Sequence, residues 1–402
     1  MSSLTHPNQR ILVRLRWRWA TVAVIWTTVW LLIYWQLRPI WPHTNQWLLL
    51  SGLMLGYGLW VLWRGLPQNH RPGETTLLDT FGIGNQTTLM RGLMLGLLAG
   101  FLFAPWPLRG LGWFIVLLYT AAAVADYLDG YLARVNNHAT GLGAMLDMEF
   151  DSIGMLVVIL LAISFGQLPW WYLLLGLARY FFVFGLWWRK KRGLSVYDIH
   201  RSAHRRVFAG FQMGFMTVVL WPIIPRAGAW LAGVMFALPL ALGFGRDWLV
   251  AVGKLDPTSA TYRYIQQPLY RAWAWWLPPL WRVLLLVSMG VIYGRFSTFP
   301  PLAWVDLFRS WHLPWPATLA GLVVGLGGLL TITAFLGILP RLSTIILMIP
   351  LACEVITNGL TWPSGVAVTL GIWLMMLGPG RWALWPVEEG YVLRRLGGSG
   401  NQ

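Results

Sequence analysis

Cysteine is almost missing from this chain, and charge is scarce. Cys353 is the single cysteine and stands in an apolar run, so an intramolecular disulfide and a cysteine-based metal site are both excluded. Charged residues make up only 11% of the chain, while 57% is hydrophobic. No single soluble core could bury so many continuous apolar runs, so the composition is that of a polytopic membrane protein. Low-complexity tracts and short-period repeats are also lacking. Acids are the rarer sign, 14 against 30 Lys and Arg, which leaves a net charge of +16. Such an excess would suit nucleic acid if it lay on a soluble face. Here the basic residues sit in short loops between apolar segments, the distribution that orients membrane helices. No nucleic-acid partner is expected.

Tryptophan is the abundant residue. The 29 Trp suit many anchors at the boundary between lipid and water. The N-terminus, MSSLTHPNQRILVRLRWRWATVAVIW, starts basic and turns apolar, as a signal peptide would. No small-residue cleavage site follows, and the stretch runs on to Trp35, so a retained first span is expected.

An all-α fold of about twelve transmembrane helices is predicted, each near the ~20 residues that cross a bilayer. The expected stretches are 19–36, 47–64, 89–106, 112–131, 147–165, 169–188, 207–224, 229–247, 278–295, 317–338, 342–360 and 364–378. With a cytoplasmic N-terminus, nearly all Lys and Arg fall on cytoplasmic loops or helix ends. The exceptions are Arg38, Arg109, Arg226, Arg295 and Arg309 outside, and Arg179 within a span. That asymmetry predicts an inner-membrane, multi-pass protein whose loop from Val135 to Leu142 faces the cytoplasm. The expected blocks are 1–66 (two leading helices), 67–250 (a six-helix core), 251–277 (a polar connector), 278–380 (four helices) and 381–402 (a cytoplasmic tail).

Against this apolar background the window DYLDGYLARVNNHATGLGAMLDMEFD stands out. Asp126 and Asp129 are three apart, and Asp147 and Asp151 four apart, so each pair shares one face of a helix. The Asn- and Gly-rich turn between the pairs predicts antiparallel neighbours whose carboxylates converge. Acids in a membrane helix are costly unless they bind a cation or serve a reaction. Hard divalent cations such as Mg2+ take oxygen ligands, so three or four carboxylates suit a metal site. Gly130 and Ala133 lie on the same face, where small side chains let a planar ligand or a second helix approach the backbone. The bland alternative is pairing with the basic loops, which would not need those small residues. Glu149 points off the acidic face and reads as an interfacial charge.

Asp126, Asp129, Gly130, Ala133, Arg134, Gly143, Asp147 and Asp151 together resemble the signature of the CDP-alcohol phosphotransferases at every one of those positions. The likeness extends upstream to GIGNQTTLMRGLMLG, where Asn85, Thr88 and Arg91 resemble the start of that family's first core helix. It implies transfer of a phosphatidyl-type group from a CDP-linked lipid to an alcohol, with release of CMP. By the same likeness Asp126, Asp129 and Asp147 would hold Mg2+ or Mn2+. Asp151 would share that role and deprotonate the acceptor hydroxyl. Gly130, Ala133 and Gly143 would make room for the cytidine nucleotide beside Asp126, and Arg134 would hold the helix pair or a phosphate. Dimers are common in that family, so a homodimer is a partner the resemblance allows.

The acceptor side is less defined. Arg179 is a charge inside the sixth span and so a site hypothesis. The loop Arg189, Lys190, Lys191, Arg192 and the run Arg201, His204, Arg205, Arg206 would attract anionic headgroups or a phosphorylated polyol, such as glycerol 3-phosphate or inositol phosphate, with a second lipid and free alcohols as the other acceptors left open. Topology and lipid contact are the competing reading of those charges. Arg179, Arg201 and Arg205 are the acceptor candidates, while His138, His200 and His204 read as loop or interface histidines. The last four spans, with Gly-Pro-Gly between Leu377 and Arg381, resemble the DoxX-like membrane family. Glu354 and Asn358, one turn apart, form their one notable polar pair. The rival reading is a membrane carrier or redox-associated protein whose acids bind ions without chemistry. A carrier would spread charges along a path or break its helices near the midplane. These acids cluster at one membrane face.

Overall fold

A computed structural model of the chain describes residues 6–107, 110–198, 203–257 and 259–390. Among these the regular elements are helical. They are α1 (His6–Leu37), α2 (Thr44–Gly65), α3 (Gly82–Ala99), α4 (Gly110–Val135), α5 (Gly141–Ser164), α6 (Leu173–Lys191) and α7 (Ala203–Val219). There follow α8 (Arg226–Ala251), α9 (Ala260–Arg271), α10 (Leu277–Tyr293), α11 (Leu302–Ser310), α12 (Pro316–Leu336), α13 (Pro340–Asn358) and α14 (Trp362–Leu377).

All twelve expected stretches fall on helices, but among the described residues eight helical segments are long and apolar enough to cross a membrane. These are α1, α2, α4, α6, α8, the continuous run of α9 and α10, α12 and α13. They mark an integral, multi-pass membrane protein. The remaining four expected stretches lie on α3, α5, α7 and α14. The first two carry the polar residues of the acidic region, and the described apolar parts of the other two are short. The expected connector is itself helical, since α9 runs through a π-helical segment, Ala272–Trp276, into α10.

The chain divides into two compact units, Met1–Gly176 with Met216–Pro222, and Leu177–Phe215 with Ile223–Gln402. In the first, α3 is the hub, packed by α2, α4 and α5. It starts before the expected 89–106 because Asn85, Thr88 and Arg91 face protein rather than water or lipid. Its glycines form hollows for bulky partners. Phe150 of α5 fills the space beside Gly92, and Trp47 of α2 covers Gly100 while its indole N–H donates to the Leu97 carbonyl at 3.1 Å. The helix pair α1 and α2 is tied by Trp30 donating to Ser51 (2.8 Å) and by Trp19 donating to the Leu59 carbonyl (2.8 Å). Asn8 of α1 brackets the segment after α2, donating to the Thr75 carbonyl at 3.0 Å and accepting from the Leu77 N–H at 3.1 Å. Buried amide groups thus find partners across elements, as an apolar setting demands.

In the second unit, α10, α12, α13 and α14 share a core that includes Leu285, Met289, Leu330, Leu351 and Leu374. Below it Arg341 is held by Glu389 (2.6 Å) and by the Met375 and Met376 carbonyls (2.8 Å each). That set ties the segment after α14 to the start of α13.

Near the acids α3 and α4 approach each other backbone to backbone. A Cβ at Gly84 would lie 2.7 Å from the Ala133 Cβ and 3.0 Å from its Cα, so backbone would have to move. A Cβ at Gly130 would meet only the flexible Arg134 guanidinium, at 3.3 Å. Gly84→Ala is therefore expected to destabilise the detergent-solubilised protein by about 1–3 kcal/mol, the usual range for overpacking. Gly130→Ala should leave thermal unfolding nearly unchanged, and a scan of the two variants side by side checks both.

Candidate active site

The acidic window folds as its spacing predicts. Asp126 and Asp129 lie on α4, near its C-terminal end, and Asp147 and Asp151 lie in the first half of α5. Thr140 sets the register of α5. It is the N-cap, its hydroxyl accepting from the Gly143 N–H at 3.0 Å, while Asn85 of α3 donates to the same oxygen at 2.9 Å. One hydroxyl therefore fixes the start of α5 against α3.

Oxygens of Asp126, Asp129 and Asp147 all lie within 4.8 Å of one another, close enough to ligate one cation. At their centre stands Arg91 of α3, only 3% exposed. Its Nη1 donates to Asp126, to Asp147 at 3.1 Å and to Asp129 at 3.5 Å. Its Nη2 donates to Asp151 at 2.5 Å and to the Asp147 carbonyl at 3.3 Å. Thr88, one turn earlier, donates to Asp129 at 2.8 Å. One buried cation thus faces four acids and leaves a large negative excess. Such an excess is tolerable where more positive charge can bind.

The site has a floor and a rim. Asp129 and Arg91 are buried at the floor, whereas the side chains of Asp147 and Asp151 are 47% and 44% exposed. A ligand would meet the α5 carboxylates first. The small residues divide in the same way. Ala133 packs on Gly84 and Gly143 on Asn85, so both admit a second helix, while Gly130 faces only the flexible Arg134 side chain. Glu149 is not a free interfacial charge, because the Tyr57 hydroxyl of α2 donates to it at 2.9 Å. His138 packs on Gly82, and its Nε2 lies 3.1 Å from the Thr80 carbonyl, which makes it part of the loop.

The acceptor candidates lie apart from the residues described above. Arg179 is half-buried on α6, in the second unit. Arg201 and the side chain of Arg205 lie outside the described residues. Sequence reasoning gave Asn85, Thr88 and Arg91 no function beyond their place in a resemblance. The available signal was an arginine in an apolar helix with polar residues at three-residue spacing before it.

Residues 81–244 match the family model of the CDP-alcohol phosphatidyltransferases. A Mycobacterium tuberculosis protein named as a cardiolipin synthase is 32% identical over 132 residues, 32% of this chain and 61% of that protein. A Mycobacterium bovis protein of the same name matches equally. A Cereibacter sphaeroides protein named CDP-diacylglycerol–glycerol-3-phosphate 3-phosphatidyltransferase is 34% identical over 112 residues, 26% of this chain and 49% of that protein. The chain thus spans less than two thirds of the length of these relatives. No solved structure matches. The family match ends before α9 and leaves α9 to α14 outside it.

The Thr140 hydroxyl serves two partners, so its removal tests the framework apart from the acids. Thr140→Val should cost about 1–2 kcal/mol, through the lost cap and an orphaned Asn85 amide. A lowered melting temperature in detergent, with the helical circular-dichroism spectrum retained, is the expected result.

Proposed function

With a CDP-alcohol phosphatidyltransferase domain at residues 81–244 as premise, we propose that the chain transfers a phosphatidyl-type group from a CDP-linked lipid to an alcohol and releases CMP. The observation that carries this reading is the convergence of four carboxylates, three within mutual ligating distance, around one buried arginine. Surplus negative charge made of hard oxygen donors suits a divalent cation, Mg2+ or Mn2+, and Asp126, Asp129 and Asp147 would hold it. Such an ion, when bound, neutralises diphosphate oxygens and stabilises the departing CMP.

The chain's own residues supply the rest. The acceptor oxygen attacks the phosphorus that carries the lipid, the bond from that phosphorus to CMP breaks, and the hydroxyl proton passes to a carboxylate. Asp151 is the base in this reading, because it stands on the rim and is half-exposed. Asp126 and the open face at Gly130, with Arg134 beside it, receive the nucleotide. Ala133 and Gly143 serve that pocket indirectly, by letting α3 close behind it.

For the acceptor we favour a phosphorylated polyol, such as glycerol 3-phosphate or inositol phosphate, drawn by the basic stretch Arg189 to Arg192, which the structure places on the last turn of α6 and just after it rather than in a loop. One relative's name includes glycerol 3-phosphate, which agrees with that choice. A lipid alcohol is the second reading, because other relatives are named as cardiolipin synthases. Arg179, Arg201 and Arg205 remain the residues proposed to meet the acceptor. The bias of Lys and Arg toward one set of loops supports a site facing the cytoplasm from the inner membrane. A carrier would be expected to string its charges along a path, and the observed cluster does not favour one.

Purified protein supplied with CDP-diacylglycerol should release CMP only with Mg2+ or Mn2+ and one member of an acceptor panel. No release with any acceptor would overturn the reading. Asp151→Asn should slow release by roughly 100- to 10,000-fold, the usual contribution of a general base. Asp129→Asn should be more severe still, and near-normal CMP release from that variant would remove the assignment.

A further inference from the structure

We propose that Arg91 is an internal counter-cation that shares carboxylate oxygens with the divalent ion and thereby sets how tightly the ion binds. The inference rests on the metal-dependent reading above and adds a positioning residue to it. Nη1 of Arg91 touches Asp126, Asp129 and Asp147, the same three acids whose oxygens lie within 4.8 Å of one another. An ion ligating those oxygens must displace Nη1 or share them with it. The guanidinium does not deprotonate in proteins, so its charge opposes the ion at every working pH.

Its placement lets it yield without leaving. Nη2 is anchored separately, on Asp151 at 2.5 Å and on the Asp147 carbonyl at 3.3 Å. Loss of the Nη1 contacts would leave the guanidinium tied to α5 through Nη2. One side chain therefore touches the proposed ion ligands with one nitrogen and the proposed base with the other. Occupation of the ion site changes the partners of the group that holds Asp151. Arg91 acts on the reaction through these acids, not by touching the reacting atoms. Its backbone position is secured by its place on the hub helix, where Gly84 and Gly92 seat it against α4 and α5.

The test is Mn2+ binding to the purified full-length protein in detergent, read by electron paramagnetic resonance, with Asp129→Asn as the background. Removing one positive charge from within about 4 Å of the ligating oxygens should tighten Mn2+ binding by at least ~10-fold in Arg91→Gln. Arg91→Lys keeps the charge but loses the fork, so it should shift in the same direction by less. CMP release should fall in both variants, because Asp151 loses its anchor. An Arg91→Gln affinity equal to or weaker than wild type overturns the proposal. Loss of cooperative thermal unfolding in both variants also overturns it, in favour of a purely structural arginine. If the wild-type protein binds no Mn2+ above background and releases no CMP, the functional reading itself fails. If it does both while Arg91→Gln binds no tighter, only the role of Arg91 falls.

Discussion

Arg91 and its four aspartates depend on one another, and the helices around them are arranged by that dependence. A guanidinium on a helix buried by its neighbours needs anionic partners, and carboxylates at the end of an apolar helix need a cation. Neither half is stable in an apolar setting without the other. Nη1 and Nη2 together reach α4 and α5, so α3 cannot slide or rotate far without breaking several charged contacts. Breaking one partner of a buried pair typically costs about 3–5 kcal/mol, comparable to emptying the site of a buried side chain such as Phe150. Charge and apolar packing therefore fix the register of the three helices together.

Packing had to make this geometry possible. Contacts as short as those of Arg91 require α3 to lie close to both partners, and residues without bulk stand at the crossings. Gly84 meets Ala133, Asn85 presses on Gly143, and Gly92 receives Phe150. Farther out, α2 closes over the other side of α3 through Trp47 and reaches α5 through Tyr57 and Glu149. The leading helices are thus part of the frame that holds the acids. Asn8 extends that frame to the segment preceding α3, whose far end is stapled by Asn69 to the Leu78 and Thr80 carbonyls.

Much of the site was legible before any fold was known. Asp126, Asp129, Asp147 and Asp151 announce a shared face by spacing alone, because three- and four-residue intervals have one meaning on a helix. The meaning of the small residues was legible only in part. Spacing allowed either a ligand or a second helix at Gly130 and Ala133, and the fold divides them, with a helix against Ala133 and only the flexible Arg134 guanidinium against Gly130. Hydropathy placed α3 too late in the chain, because it reads Asn85, Thr88 and Arg91 as marks of a surface. They are polar but buried, satisfied by groups 35 to 60 residues away in sequence. The same limit applies to the number of spans, since a helix lined by protein need not be apolar all round.

The sequence by itself determined the class of protein, the helical periodicity and the acidic pairs, because hydropathy and spacing act over one or two helical turns. It also determined the chemistry available, since hard oxygens at that density suit cations and phosphates. Only the tertiary structure decided that Arg91 is the centre on which the acids converge, that two carboxylates form the rim, and that Glu149 belongs to Tyr57. Those outcomes depend on which helix lies against which. The contacts that choose among neighbours join residues far apart along the chain, and no local pattern records them.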